Sequence, residues 1–173
     1  MKHIDDDGHD LQMQVLIQPN IGLDREVRQG LVKLLNITLA NESVMTQKTR
    51  NARWNITGRG FFDLHILFDI QYKQLNETLE KIAERVKMLG GITIGSFTEF
   101  LSHTQIEDQP ALIPDILHLL AGHEKIIRFL REASRKCNEE FEDEGTGDLL
   151  VGLMSLHEKM AWMLRSYSEV LAT

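Results

Sequence analysis

A single cysteine, Cys137, stands among 173 residues, so no internal disulfide can form and a reducing compartment is expected. Proline occurs only three times, at Pro19, Pro110 and Pro114, all outside the long stretches of helical apolar periodicity. Aromatic residues make up 6% of the chain while Leu, Ile, Met, Glu and Lys are common, which favours helix over strand. No run approaches the ~20 apolar residues that a membrane span requires. The first residues are charged and lack an apolar signal region, which predicts a cytoplasmic protein. Positive charge is in the minority. Nineteen Lys and Arg face 26 Asp and Glu, a formal charge of −7. Such a surface repels nucleic acid and anionic membrane and attracts cations.

Residues 1–22 read as a flexible acidic tail with an extended lead-in, and residues 23–173 as one domain. The tail holds His3, Asp5, Asp6, Asp7, His9 and Asp10. Those side chains suit a divalent metal, but a solvated tail is the default. Its only basic residue is Lys2, and phosphate neutralisation needs clustered Lys or Arg, so little DNA binding is expected. Asp24 is placed to cap a first helix running to about residue 51, with Val27, Leu31, Leu34, Leu35 and Leu39 on its apolar stripe. A second helix spans about 63–90 and stops at the Gly90–Gly91 pair. A short helix is expected over 96–102. A third runs from about 111 to 138, with Pro114 in its first turn. Residues 139–147 read as an acidic loop, and a fourth long helix covers 148–171. Four long amphipathic helices make a four-helix bundle the economical architecture. The connection between the second and third is long enough to cross the bundle and carries its own short helix. The expected fold is therefore all-α, with ferritin-like topology.

The second helix carries a constellation of metal-binding side chains. His65 and Asp69 lie one turn apart, and so do Glu80 and Glu84. The eleven-residue step from Asp69 to Glu80 is close to three turns, so all four lie near one face. Imidazole with carboxylates suits a metal that accepts both nitrogen and oxygen, such as iron, though zinc and manganese suit the same set. From His65 to Glu80 the helix rises about 22 Å, while a metal–ligand bond is about 2 Å. One helix therefore cannot close the site. Two copies packed antiparallel about a two-fold axis near Gln74 and Leu75 would bring His65 and Asp69 of one chain to Glu80 and Glu84 of the other, twice over. Taken alone, Glu80 and Glu84 would be surface charges balanced by Lys81 and Arg85. Cys137 reads as a packed or semi-exposed thiol without catalytic work.

Several stretches together resemble the Dps family of mini-ferritins. They are the run Lys48-Thr49-Arg50-Asn51-Ala52-Arg53-Trp54-Asn55, then Gly58, Phe61-Phe62, Leu64-His65, Ile82-Ala83-Glu84-Arg85 and Leu89-Gly90-Gly91, and finally 157–164 beginning His157-Glu158-Lys159. The resemblance implies a hollow homo-oligomer, a dodecamer of two-fold dimers, with ferroxidase sites at the two-fold interfaces. There Fe(II) would be oxidised by hydrogen peroxide, or by oxygen, and stored as ferric mineral. Each interface site would take one or two irons, with no organic cofactor. The resemblance carries ligand roles to His65, Asp69, Glu80 and Glu84, with Glu84 the best candidate to bridge two irons. Trp54, expected to pack in the core or interface, is implied as a sink for stray electron equivalents. It also places cation-drawing acidic residues at a three-fold pore, for which Glu139, Glu144 and Asp148 are the candidates by position; Asp148 equally suits a helix cap. One position departs: Arg53 stands where the family has a histidine. A guanidinium offers no lone pair. Either Arg53 pairs with Asp69 or with the partner's carboxylates, or it swings away and leaves four ligands to hold one iron. His123 and His157 lie on other helices and are not expected to replace the missing histidine. The alternatives to a working ferroxidase are a shell whose site Arg53 impairs and, less favoured by charge, a DNA-protecting protein.

Overall fold

The computed structural model describes residues 15–171, with side chains through Ser168. Its elements are α1 (Arg25–Asn55), α2 (Phe61–Met88), α3 (Phe97–His103), α4 (Ile116–Glu139) and α5 (Glu144–Leu171). Among the described residues there is no strand, only an isolated bridge between Val15 and Gly91. No helix is long and apolar enough to cross a membrane among those residues.

The apolar spacing explains the packing. Buried positions recur at Leu64, Phe68, Gln71, Leu75, Thr78, Ile82 and Val86 on α2, and at Ile116, Leu119, His123, Ile126, Leu130, Ala133 and Cys137 on α4. On α4 steps of three and four alternate for an average repeat of 3.5, and on α2 they alternate as far as Ile82, the pattern of helices packed at a shallow left-handed angle. Each fully buried Leu, Ile or Phe contributes about 1.5–3 kcal/mol.

Specific contacts fix the topology. Arg53 and Arg50 of α1 reach Asp69 and Tyr72 of α2, while Glu42 reaches Thr78, so these helices are antiparallel. A Cβ on Gly30 would meet the Phe141 ring at 2.6 Å, and one on Gly122 would meet the Met45 sulfur at 2.8 Å. Asn51 also donates to the Leu112 carbonyl, so α1 and α4 are antiparallel. Gln71 donates to the Met160 carbonyl and Arg85 to Thr146, so α2 and α5 are antiparallel as well. Helices α2 and α4 must then run in the same direction, which requires a crossover. The 89–115 connection supplies it, and α3 packs against α1 on the way. This is the ferritin-like topology expected from the connection's length.

Three helix boundaries differ from the expectation. Helix α1 continues to Asn55, where Ile56 turns extended. Helix α4 starts at Ile116, not near 111. Ile113 precedes Pro114 and is sterically biased away from helix, Ala111 has φ of 67°, and Asp115 caps the helix by accepting from His118 N at 2.9 Å. Helix α5 begins at Glu144, four residues early. Gly145 and Gly147 fall inside it because Asp143 is anchored just before it. Arg85 grips that carboxylate at 2.9 and 2.8 Å and also donates to Thr146 at 2.9 Å.

The lead-in is tied down from Val15 onward. Leu16 N and Ile17 N donate to the Gly90 carbonyl at 3.0 and 3.2 Å. Buried Arg28 donates to the carbonyls of Ile17, Leu23 and Leu89, the last at the negative end of α2. Gly90 has φ of 84°, and a Cβ there would lie 2.2 Å from the Ile17 oxygen, so only glycine fits. The His/Asp tail expected to attract metal falls at positions 1–14, outside the described residues.

Candidate metal centre

Helix α2 places His65, Asp69, Glu80 and Glu84 as the periodicity predicts, in two groups along the helix. Among the described residues no three His, Cys, Asp or Glu side chains converge on one point. His65 is half-buried, its ring 5.4 Å from that of Phe61, and its Nδ1 is buried without a hydrogen-bond partner. Asp69 lies between two cations. Lys73 Nζ meets one carboxylate oxygen at 2.7 Å, and Arg53 Nε lies 3.0 Å from the other in an ion pair without hydrogen-bond alignment. The Lys73 hydrogen bond, aided by the charge of Arg53, holds the Asp69 carboxyl below its ordinary range against the opposing effect of desolvation. Of the two outcomes open for Arg53, the structure contains the pairing with Asp69. Lys73 was not anticipated, although its position one turn after Asp69 is the signal for it.

Glu80 and Glu84 are exposed. Glu80 lies on the wall of a cavity of about 690 Å³ between the α1–α2 face and the crossover, whose apolar lining includes Leu79, Ala83, Phe97, Phe100 and Leu101. The other half of α2 exposes an apolar stripe one turn per residue: Phe62, Ile66 and Ile70. Trp54 is not a core residue of this subunit. It is 62% exposed, with the Arg50 guanidinium 6.0 Å from its ring centre and 4.6 Å from that of Tyr72.

At the candidate pore, Glu139 ends α4 and Glu144 begins α5, both exposed. Asp148 is exposed one turn inside α5, so it does not cap that helix. The intervening Asp143 is buried. Burial opposes its charge, but hydrogen bonds from Thr146 and Arg85 hold its carboxyl below the ordinary range. Cys137 is buried, which pushes its thiol up to about 12 and leaves it inert.

A second polar group lies where none was expected, halfway along the core stripes. Glu42, Thr78, His123 and His157 come from the four long helices, and each is buried. His157 Nε2 is 2.8 Å from Glu42 Oε1, His157 Nδ1 is 2.8 Å from His123 Nδ1, and Thr78 Oγ is 3.1 Å from Glu42 Oε2. With Glu42 ionised, His157 Nε2–H donates to it. With His157 neutral its Nδ1 accepts, so His123 Nδ1–H donates and His123 Nε2 is left bare. That nitrogen is buried and unpartnered. Burial, and then the proximity of His157, hold the His123 imidazole well below its ordinary 6.5. The three donors form a line rather than a cage. Glu42 was overlooked in the sequence, yet it occupies the core stripe of α1 between Leu39 and Met45, and that placement is its signal.

Known proteins resemble this chain along most of its length. A family model described as a ferritin-like domain matches residues 32–173. The chain is 42% identical over 154 residues to an uncharacterised low-temperature-induced protein of Nostoc, covering 87% of this chain and 86% of that one. It is 32% identical over 149 residues to the DNA protection during starvation protein of Porphyromonas gingivalis, covering 85% and 94%. Among solved structures, DpsC of Streptomyces coelicolor superposes with a TM-score of 0.85 at 27% identity, covering 90% and 92%. The Dps protein of Vibrio cholerae, described as a member of a broad superfamily of ferritin-like diiron-carboxylate proteins, gives 0.80 at 32% identity, covering 87% and 96%.

Proposed function

Because this chain belongs to the Dps family of ferritin-like proteins, we propose that it stores and detoxifies iron as a hollow homo-oligomer, oxidising Fe(II) at sites shared between subunits. The subunits form two-fold dimers that assemble into a dodecamer. Fe(II) enters past Glu139, Glu144 and Asp148 and is oxidised by peroxide or oxygen. Peroxide takes one electron from each of two Fe(II) ions and two protons, giving two waters and two Fe(III). The ferric product is stored inside.

The observation that carries this reading is the self-complementarity of α2. The antiparallel register that sets Asp69 opposite the partner's Glu80 sets His65 opposite Glu84. The same register sets Ile70 opposite Leu79 and Ile66 opposite Ala83. Exposed apolar side chains on one half of the helix thus fall on the apolar cavity wall of the other half, as an isologous interface requires. Within the site, His65 binds the ion through Nε2, since its Nδ1 is buried, and Glu80 and Glu84 neutralise the charge. The Arg53–Asp69 pair favours one rival, a shell closed to oxidation. DNA condensation is disfavoured by the charge of −7.

Stopped-flow absorbance with peroxide and with oxygen tests the reading. The native protein is expected to oxidise Fe(II) well above the buffer rate, and Glu80→Ala with Glu84→Ala to return it to that rate. A native protein no faster than buffer, activated by Arg53→His, would establish the closed shell instead.

A further inference from the structure

Asp69 and His65 lie one turn apart but are not equally available. Both oxygens of Asp69 are held by cations of its own chain: Arg53, from a different helix, at 3.0 Å and Lys73 at 2.7 Å. A carboxylate flanked by a guanidinium and an ammonium already has the compensation that a divalent ion would provide. An ion about 2 Å from an Asp69 oxygen would lie beside two positive charges, so it binds there only if both withdraw. Lys73 is largely exposed and withdraws readily, whereas Arg53 and Asp69 have side chains only 28% and 24% exposed. His65 has no cation pressed against it; its Nδ1 is buried, so Nε2 is the nitrogen that an ion at the interface would meet.

Resting on the interfacial site argued above, we infer that each site takes one divalent ion rather than two. It is held by His65 with the partner's Glu84 and Glu80. Arg53 and Lys73 stand at Asp69 in place of a second ion. Asp69 then serves as a positioning residue: it fixes Arg53 beside the site and is not itself a ligand. Lys73, along with Arg53, becomes a determinant of how many ions the interface accepts.

Zinc is a redox-silent probe for His and carboxylate sites, so the count can be made without turnover. Site-specific zinc is the calorimetric difference between a full-length protein and the same protein carrying Glu80→Ala and Glu84→Ala, which cancels ions taken by the tail and pores. The native chain is expected to give a difference of one zinc per subunit. The double variant Arg53→His/Lys73→Gln is expected to give two, because it frees Asp69 and adds an imidazole. A native difference of two overturns the inference and leaves the shared site standing. So does a double variant that remains at one. A native difference of zero overturns both.

Discussion

Replacing His157 with alanine is expected to lower the thermal midpoint by about 10 °C, the largest loss foreseen for any single side chain outside the packing glycines. His157 is the middle of the buried line and touches both Glu42 and His123 at 2.8 Å. Without it, Glu42 keeps only Thr78 as a donor inside a fully buried environment. Leaving a buried ionised carboxylate without one of its hydrogen-bond partners costs about 3 kcal/mol or more. For a chain of this length each kcal/mol moves the midpoint by about 2–4 °C. Glu42→Gln is expected to be milder, since an amide still accepts from His157 and carries no charge to bury. Calorimetry at fixed protein concentration measures both, because subunit assembly makes the midpoint concentration-dependent. A His157→Ala midpoint within a degree or two of the native value would show that the line carries no net stability.

The same line makes stability fall in mild acid. His123 titrates well below 6.5 in the folded chain and near 6.5 when unfolded. The unfolded state therefore binds the extra proton first. The stability His123 confers is complete above about pH 6.5 and is lost as pH falls from there toward the folded value, by up to about 1.4 kcal/mol per pH unit. The groups facing it are His157 on α5 and, through it, Glu42 on α1; α2 contributes only the Thr78 hydroxyl. The lowered carboxyls of Asp69 and Asp143 act in a separate window, since both start from 3.8. Denaturant titrations between pH 7 and 5 are expected to show a declining native stability and a flatter profile for His123→Gln, which keeps a donor to His157. Parallel profiles would mean that another group takes up the proton.

Much of this architecture was legible because it follows from repeats and punctuation. The apolar stripe of α1 and the Gly90–Gly91 stop needed no tertiary information. What escaped depended on distant partners. Gly145 and Gly147 read as loop, and only the grip of Arg85 on Asp143 allows α5 to begin there. Pro114 suits a first helical turn, yet Ala111 before it has φ of 67° and Asp115 caps the helix that starts at Ile116. The four ligand candidates on α2 were visible through helical geometry, and so was the impossibility of closing the site within one chain. Lys73 was passed over because an exposed lysine one turn from an aspartate is common. Glu42 stands among apolar members of the α1 stripe, and a carboxylate at a core position is itself the signal of a buried partner.

The shared site is tested most directly by mixing two inactive chains. His65→Ala subunits keep Glu80 and Glu84, and Glu80→Ala/Glu84→Ala subunits keep His65. Each variant alone is expected to oxidise Fe(II) at the buffer rate. When the two are co-expressed at equal levels, half the two-fold dimers are mixed, and each mixed dimer rebuilds one of its two sites. The co-assembled shell is then expected to recover about a quarter of the native rate. If it stays as inactive as its parents while the native protein is active, the oxidation does not occur between His65 of one subunit and the glutamates of its mate.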